Sequence, residues 1–143
     1  MSDMSNQEAD DRFPSGKWVG FFLDRRIPGK HQMELHLAFA AGRMTGEGRD
    51  KVGQFTVTGS YDTKTGECLF VKQYVNAHWI SYRGFNEGKG IWGTWELRWG
   101  ALTFNGGFHI WPEGMGDPTN QVLKEAIDVP ATEDVREKEL VPA

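Results

Sequence analysis

Cysteine is almost absent from this sequence of 143 residues, in which Cys68 is the only one. A single thiol excludes an internal disulfide framework and a zinc site built from several thiolates. Long apolar runs are missing too, because no stretch approaches the roughly 18 consecutive apolar residues of a membrane-spanning helix. The first residues lack the basic and apolar regions of a signal peptide. We therefore expect a cytoplasmic protein with no membrane partner.

An excess of positive charge is also lacking, since the formal net charge is −4. This balance argues against a general nucleic-acid-binding protein. The acidic side chains are concentrated at the two ends, so we predict a disordered acidic tail at residues 1–12 and an acidic flexible tail at 129–143. Solvated tails that keep the chain soluble are the favoured interpretation, and docking of a basic partner is the alternative.

Motifs of common enzyme and cofactor chemistry are not found. The sequence contains no G-x-S-x-G, P-loop or dinucleotide-binding fingerprint, and its four histidines have no metal-ligand spacing. Gly88-Lys89-Gly90 indicates a turn, because no helix follows that could bind a phosphate. We predict no cofactor and no metal. Catalysis stays open, with a non-catalytic role favoured.

Aromatic residues and glycine are abundant, with 6 Trp, 9 Phe and 18 Gly. In residues 32–39, Met33, Leu35, Leu37 and Phe39 alternate with polar residues, as in a half-buried strand. Residues 55–61 repeat this period of two. Six further runs fit it less cleanly: Lys17–Leu23, Arg43–Asp50, Cys68–Tyr74, His78–Phe85, Gly90–Arg98 and Leu102–Trp111. Short turns separate the eight runs, so neighbouring strands should be antiparallel.

Eight antiparallel strands leave two exposed edges unless the sheet closes on itself. We therefore predict an all-β fold, an eight-stranded antiparallel up-and-down barrel over residues 13–116. A flat meander or a sandwich is the alternative. One short C-terminal helix is predicted at 117–128, where Asp117-Pro118-Thr119 offers a cap and an N-terminal proline. This helix would plug or flank the barrel, or bind a partner.

Gly16-Lys17-Trp18-Val19-Gly20 resembles the G-x-W opening of calycin barrels, the group of lipocalins, fatty-acid-binding proteins and avidins. Four later segments are similar to the avidin family: Gly42–Gly46, Val57–Asp62, Lys72–Gly84 and Trp92–Trp95. The resemblance implies a barrel and a tendency to associate. It does not imply biotin, because the polar ligand-binding positions of avidins are occupied here by Gly20, Asp24, Gly48 and Asp50.

Polar residues stand out among those predicted to face the barrel lumen. Lys72, Tyr74, His78 and Tyr82 converge if their sides of the strands face inward, with Asp24 or Asp50 as a counter-charge. The alternative has Lys72 in solvent. A barrel lumen of this size is either filled by side chains or hollow. In a hollow lumen with Lys72 facing inward, we expect a small polar or anionic ligand. The predicted ligand-binding residues of the lumen are Trp18, Asp24, Asp50, Tyr61, Lys72, Tyr74, His78, Tyr82 and Trp95.

Aromatic residues are also predicted on the outer side of the barrel, where they would form a contact surface. They are Trp79, Phe85, Trp92 and Trp111. Either a homo-oligomer, dimer or tetramer, forms there, or the C-terminal helix or the 113–118 loop covers them. The leading hypothesis is thus a non-catalytic barrel that binds a small molecule. A protein-interaction or oligomeric scaffold is second, and a cyclase- or isomerase-type enzyme using His78 or the aspartates is third.

Overall fold

The computed structural model describes residues 7–119 of the chain. Eight β-strands and a single short 3-10 turn at Glu113–Met115 make up the regular structure of this part. The strands are β1 (Gly16–Asp24), β2 (Ile27–Ala40), β3 (Arg43–Asp50), β4 (Gln54–Tyr61), β5 (Glu67–Tyr74), β6 (Trp79–Asn86), β7 (Ile91–Trp99) and β8 (Leu102–Pro112).

The strands form one closed sheet in which each strand is antiparallel to the next in sequence. Closure is made by β1 and β8, whose pairing runs from Trp18 opposite Pro112 to Phe22 opposite Phe108. The predicted eight-stranded up-and-down barrel is therefore confirmed, and the flat meander and the sandwich are excluded.

The barrel interior is filled by side chains over most of its length. Along β2, the predicted inward residues Met33, Leu35, Leu37 and Phe39 are each at most 3% exposed. Gly106 of β8 makes room for the indole of Trp95, because a Cβ atom there would lie 2.5 Å from Trp95 Nε1. That indole N–H donates to the Leu23 carbonyl across 2.8 Å. Close packing thus decides between the filled and hollow alternatives for the middle of the barrel.

One end of the barrel is covered by the segment that precedes β1. Phe13 is completely buried there, with its ring centroid 4.7 Å from that of Tyr61 and 5.5 Å from that of Phe39. The Trp18 indole donates to the Pro14 carbonyl across 2.8 Å and anchors the chain at this end. We call this the closed end.

Residues 7–12 lie against the barrel, although we predicted a disordered tail over 1–12. The Glu8 backbone N–H donates to the Phe39 carbonyl across 3.1 Å, and the Tyr61 hydroxyl donates to Glu8 Oε1 across 2.6 Å. Arg12 forms an ion pair with Asp10 at 2.8 Å. Hydrogen bonds to β2 and β4 therefore hold a segment that its composition alone marks as solvated. Residues 1–6 lie outside the described part.

The C-terminal predictions lie largely outside the described residues. Asp117 Oδ1 accepts the Thr119 backbone N–H across 2.8 Å. The remainder of the predicted helix at 117–128, and the tail at 129–143, are beyond Thr119. Within residues 7–119 there is no helix with the length and apolar character needed to cross a membrane.

Candidate functional site

The end of the barrel opposite Phe13 is open. Four turns surround it, at residues 24–27, 50–54, 74–79 and 99–102. Residues from all four turns, together with inward residues of the adjoining strands, line a cavity of about 540 Å³. We call it the mouth cavity.

The mouth cavity has apolar walls and an apolar rim. Phe22 and Leu97 are buried in its walls, and the partly buried Phe104, which also lines the cavity, packs against the hydrophobic core. The rim consists of four apolar side chains that are between 43% and 62% exposed: Ile27, Val52, Trp99 and Leu102. A concave site with such a lining suits the apolar part of a small molecule.

Two polar pairs also line the cavity. Asp24 and Arg26 form an ion pair at 2.8 Å, and hydrogen bonding to Arg26 lowers the pKa of Asp24. The Arg26 guanidinium lies 4.1 Å from the centroid of the Phe104 ring. Beside this pair, the exposed Lys51 places its Nζ 3.3 Å from Nδ1 of the buried His31.

A buried charged cluster lies inside the barrel, next to the mouth cavity. Lys72 Nζ lies 2.8 Å from Asp50 Oδ2, and the Tyr74 hydroxyl donates to the same oxygen across 2.6 Å. Asp50 Oδ1 accepts the Val52 backbone N–H across 2.8 Å, which ties the β3–β4 turn to the interior. The Lys72 and Asp50 side chains are only 1% and 0% exposed. We call these three side chains, Asp50, Lys72 and Tyr74, the Asp50 cluster.

Aromatic rings surround the Lys72 ammonium group. Its Nζ lies 4.6 to 5.2 Å from the ring centroids of Phe22, Phe55, Tyr74 and Tyr82, within the range of cation–π attraction. Burial lowers the pKa of Lys72, and attraction to Asp50 opposes that shift. The pair has no net charge whichever partner holds the proton. Lys72 therefore faces inward but meets a carboxylate of the protein, so the solvent-facing alternative is excluded.

The predicted lumen residues occupy three levels of the barrel. The Asp50 cluster and Tyr82 come together as the sequence suggested. Trp18 and Tyr61 lie towards the closed end, and Trp95 packs at mid-barrel beside Gly106. Asp24 and His78 line the mouth cavity, where His78 precedes β6 and has its ring 5.0 Å from that of Tyr74.

The outer aromatic residues do not form one patch. Trp111 is only 6% exposed and packs edge-on against Phe21, so this ring adds nothing to an exposed surface. Phe85 and Trp92 are opposite each other in the β6–β7 register, and each is 40% exposed. Trp79 is 54% exposed but lies at the other end of β6.

The polar residues of the mouth cavity that sequence reasoning missed are Arg26, His31 and Lys51. A signal for His31 was available, because the alternation from Met33 back along β2 places it on the inward side. Arg26 and Lys51 lie in or beside turns, where alternation gives no direction. Their part in the site follows only from the way the turns meet at the open end.

Candidate groups for catalysis are few in this arrangement. The two carboxylates of the predicted lumen, Asp24 and Asp50, are both ion-paired, which leaves His78 as the remaining acid or base of that hypothesis. Burial raises the pKa of the Cys68 thiol to about 12, so it is protonated at neutral pH. Across residues 7–119, no group of three or more His, Cys, Asp or Glu side chains is arranged to hold a metal ion.

No protein-family model, curated protein or solved structure matches this chain. The closed eight-stranded barrel is therefore established by its own strand pairing. The resemblance to avidins and other calycins stays a prediction from the quoted motifs.

The Asp50 cluster predicts a large cost for removing its cation. We expect Lys72→Met to lower the free energy of unfolding by about 3–5 kcal/mol, because it leaves the Asp50 carboxylate buried without a counter-charge. Urea denaturation measures this loss, with the exposed Lys64→Met as the matched control. The double variant Asp50→Asn/Lys72→Met should recover part of the stability. A loss of less than about 1 kcal/mol for Lys72→Met would contradict this account of the cluster.

Because of its three tyrosines, we expect the folded protein to become less stable at alkaline pH. Burial raises the pKa of Tyr61 to about 12 and those of Tyr74 and Tyr82 further above the usual value. Above about pH 10 the unfolded chain loses these protons while the folded protein retains them, so stability falls as the pH rises further. Urea melts across this range should show the fall, less steeply for Tyr82→Phe. Tyrosinate absorbance with an ordinary pKa in the folded protein would refute the prediction.

Proposed function

We propose that this protein is a non-catalytic barrel that binds a small molecule in its mouth cavity. The observation that carries the proposal is the cavity of about 540 Å³ where the four turns of the open end meet. Its volume lies in the range of about 300–1,000 Å³ that is usual for sites of small ligands.

The asymmetry of the two barrel ends supports this position for the ligand. Phe13 occupies the closed end, and packed aromatic side chains fill the middle of the barrel. A ligand therefore enters from the open end and rests on Phe22 and Leu97, the buried side chains of the cavity wall. The exposed apolar rim adds contact area that water now covers, and burial of that area favours binding.

Binding of an uncharged aromatic probe tests the proposal. We expect N-phenylnaphthylamine to bind with one site per chain, measured by its fluorescence enhancement. Phe104→Ala should weaken this binding about tenfold, which corresponds to losing roughly 50 Å² of apolar contact at about 25 cal/mol per Å².

The matched control is Phe85→Ala, which removes a partly exposed ring from the outer wall instead of the cavity. It should leave the affinity unchanged. The proposal fails if the wild-type protein does not bind the probe, or if both variants weaken binding equally.

A second candidate function is self-association through the outer wall of the barrel. Phe85 and Trp92 are neighbours in the β6–β7 register, and both rings are 40% exposed. Paired exposed aromatic rings on a sheet surface are typical of contact surfaces between proteins. We propose a second copy of the chain as the partner, giving a dimer or tetramer.

Light scattering, measured on the protein as it elutes from a size-exclusion column, tests this second proposal. We expect the wild-type mass to be a multiple of 16.2 kDa and Trp92→Ala to shift the equilibrium towards the monomer. The control is Trp99→Ala, because Trp99 is even more exposed but lies at the open end. A wild-type protein that is monomeric at every concentration would refute it.

A further inference from the structure

We infer that the ligand of the mouth cavity is a small amphipathic anion and that Lys51 receives its acidic group. This inference rests on the proposed function, because it names the chemical class of the molecule bound there. It differs from the sequence hypothesis in which Lys72 meets the anion, since Lys72 is paired with Asp50.

Charge compensation around the cavity singles out Lys51. Asp24 is paired with Arg26 at 2.8 Å, and Asp50 with Lys72 at the same distance. Within residues 7–119, no carboxylate lies within 4.0 Å of the Lys51 ammonium group. The side chains of the cavity therefore leave one positive charge without an acidic partner, and an anion supplies the missing charge.

His31 directs this ammonium group towards the cavity. Its Nε2 lies 3.0 Å from the Ile27 carbonyl oxygen, which can only accept, so Nε2 carries the hydrogen. In the neutral imidazole Nδ1 is then the acceptor, and Lys51 Nζ donates to it across 3.3 Å. The ammonium group has three hydrogens, so two more remain for a carboxylate or sulfonate.

The apolar rim defines the other half of the ligand. Lys51 and the exposed Val52 share one turn, and Ile27, Trp99 and Leu102 extend the apolar surface around the opening. A small inorganic anion leaves this surface uncovered, whereas an aromatic or aliphatic body covers it. The combination favours a monoanion with an apolar body.

Two probes that differ only in one sulfonate test the inference: anilinonaphthalene sulfonate and N-phenylnaphthylamine. We expect Lys51→Met to weaken binding of the sulfonate about fivefold, the size of one exposed ion pair of about 1 kcal/mol. Its effect on the uncharged probe should stay within about twofold. Lys51→Arg should keep the affinity for the sulfonate, and the control Lys64→Met, at the closed end, should change neither probe.

The outcomes separate this inference from the proposed function. If the uncharged probe binds but Lys51→Met leaves the sulfonate affinity unchanged, the inference is overturned and the proposed function stands. An equal loss of affinity for both probes also overturns the inference, because Lys51 then acts through the shape of the turn. If neither probe binds to the wild-type protein, both proposals fail.

Discussion

The hydrogen-bonded pairing of β1 with β8 is the constraint on which the rest of this structure depends. Without it the sheet has two open edges and no enclosed interior. Closure places the inward side chains of opposite strands against one another. The inward face of every strand therefore becomes part of one common core. Closure also forces the turns at each end into a ring, and a ring of turns is what forms the mouth cavity.

The interior of the barrel is shielded from solvent by different side chains at its two ends. At the closed end, Phe13 occupies the opening, and hydrogen bonds from Glu8 and Arg12 hold its segment in place. At the open end the interior is sealed one layer deeper, by Phe22 and the Asp50 cluster beneath it. The mouth cavity is therefore shallow, and its lining comes from turns as much as from strands.

Period-two alternation was enough to predict the strands, and the short turns between them predicted their antiparallel order. Alternation could not decide the direction of Lys72, because Leu69 and Val71 on the opposite side are an equally good core pair. The deciding factor is Asp50, a residue 22 positions away on β3, which lies on the other side of β4 from the β5 strand that carries Lys72. Long-range ion pairs of this kind leave no periodic signal in a sequence.

Two lysines near the open end show how the degree of burial changes what a residue of the same type can do. Lys72 is 1% exposed, and a charge at that depth needs a partner within the protein itself. Lys51 is exposed, so water solvates its ammonium group and no internal carboxylate is required. A charge that folding does not need to neutralise is free to be neutralised by a ligand. The shallow cavity and the solvated lysine therefore fit the proposed function together: the charges of the interior are paired within the protein, and the turns of the open end would carry the recognition of a ligand.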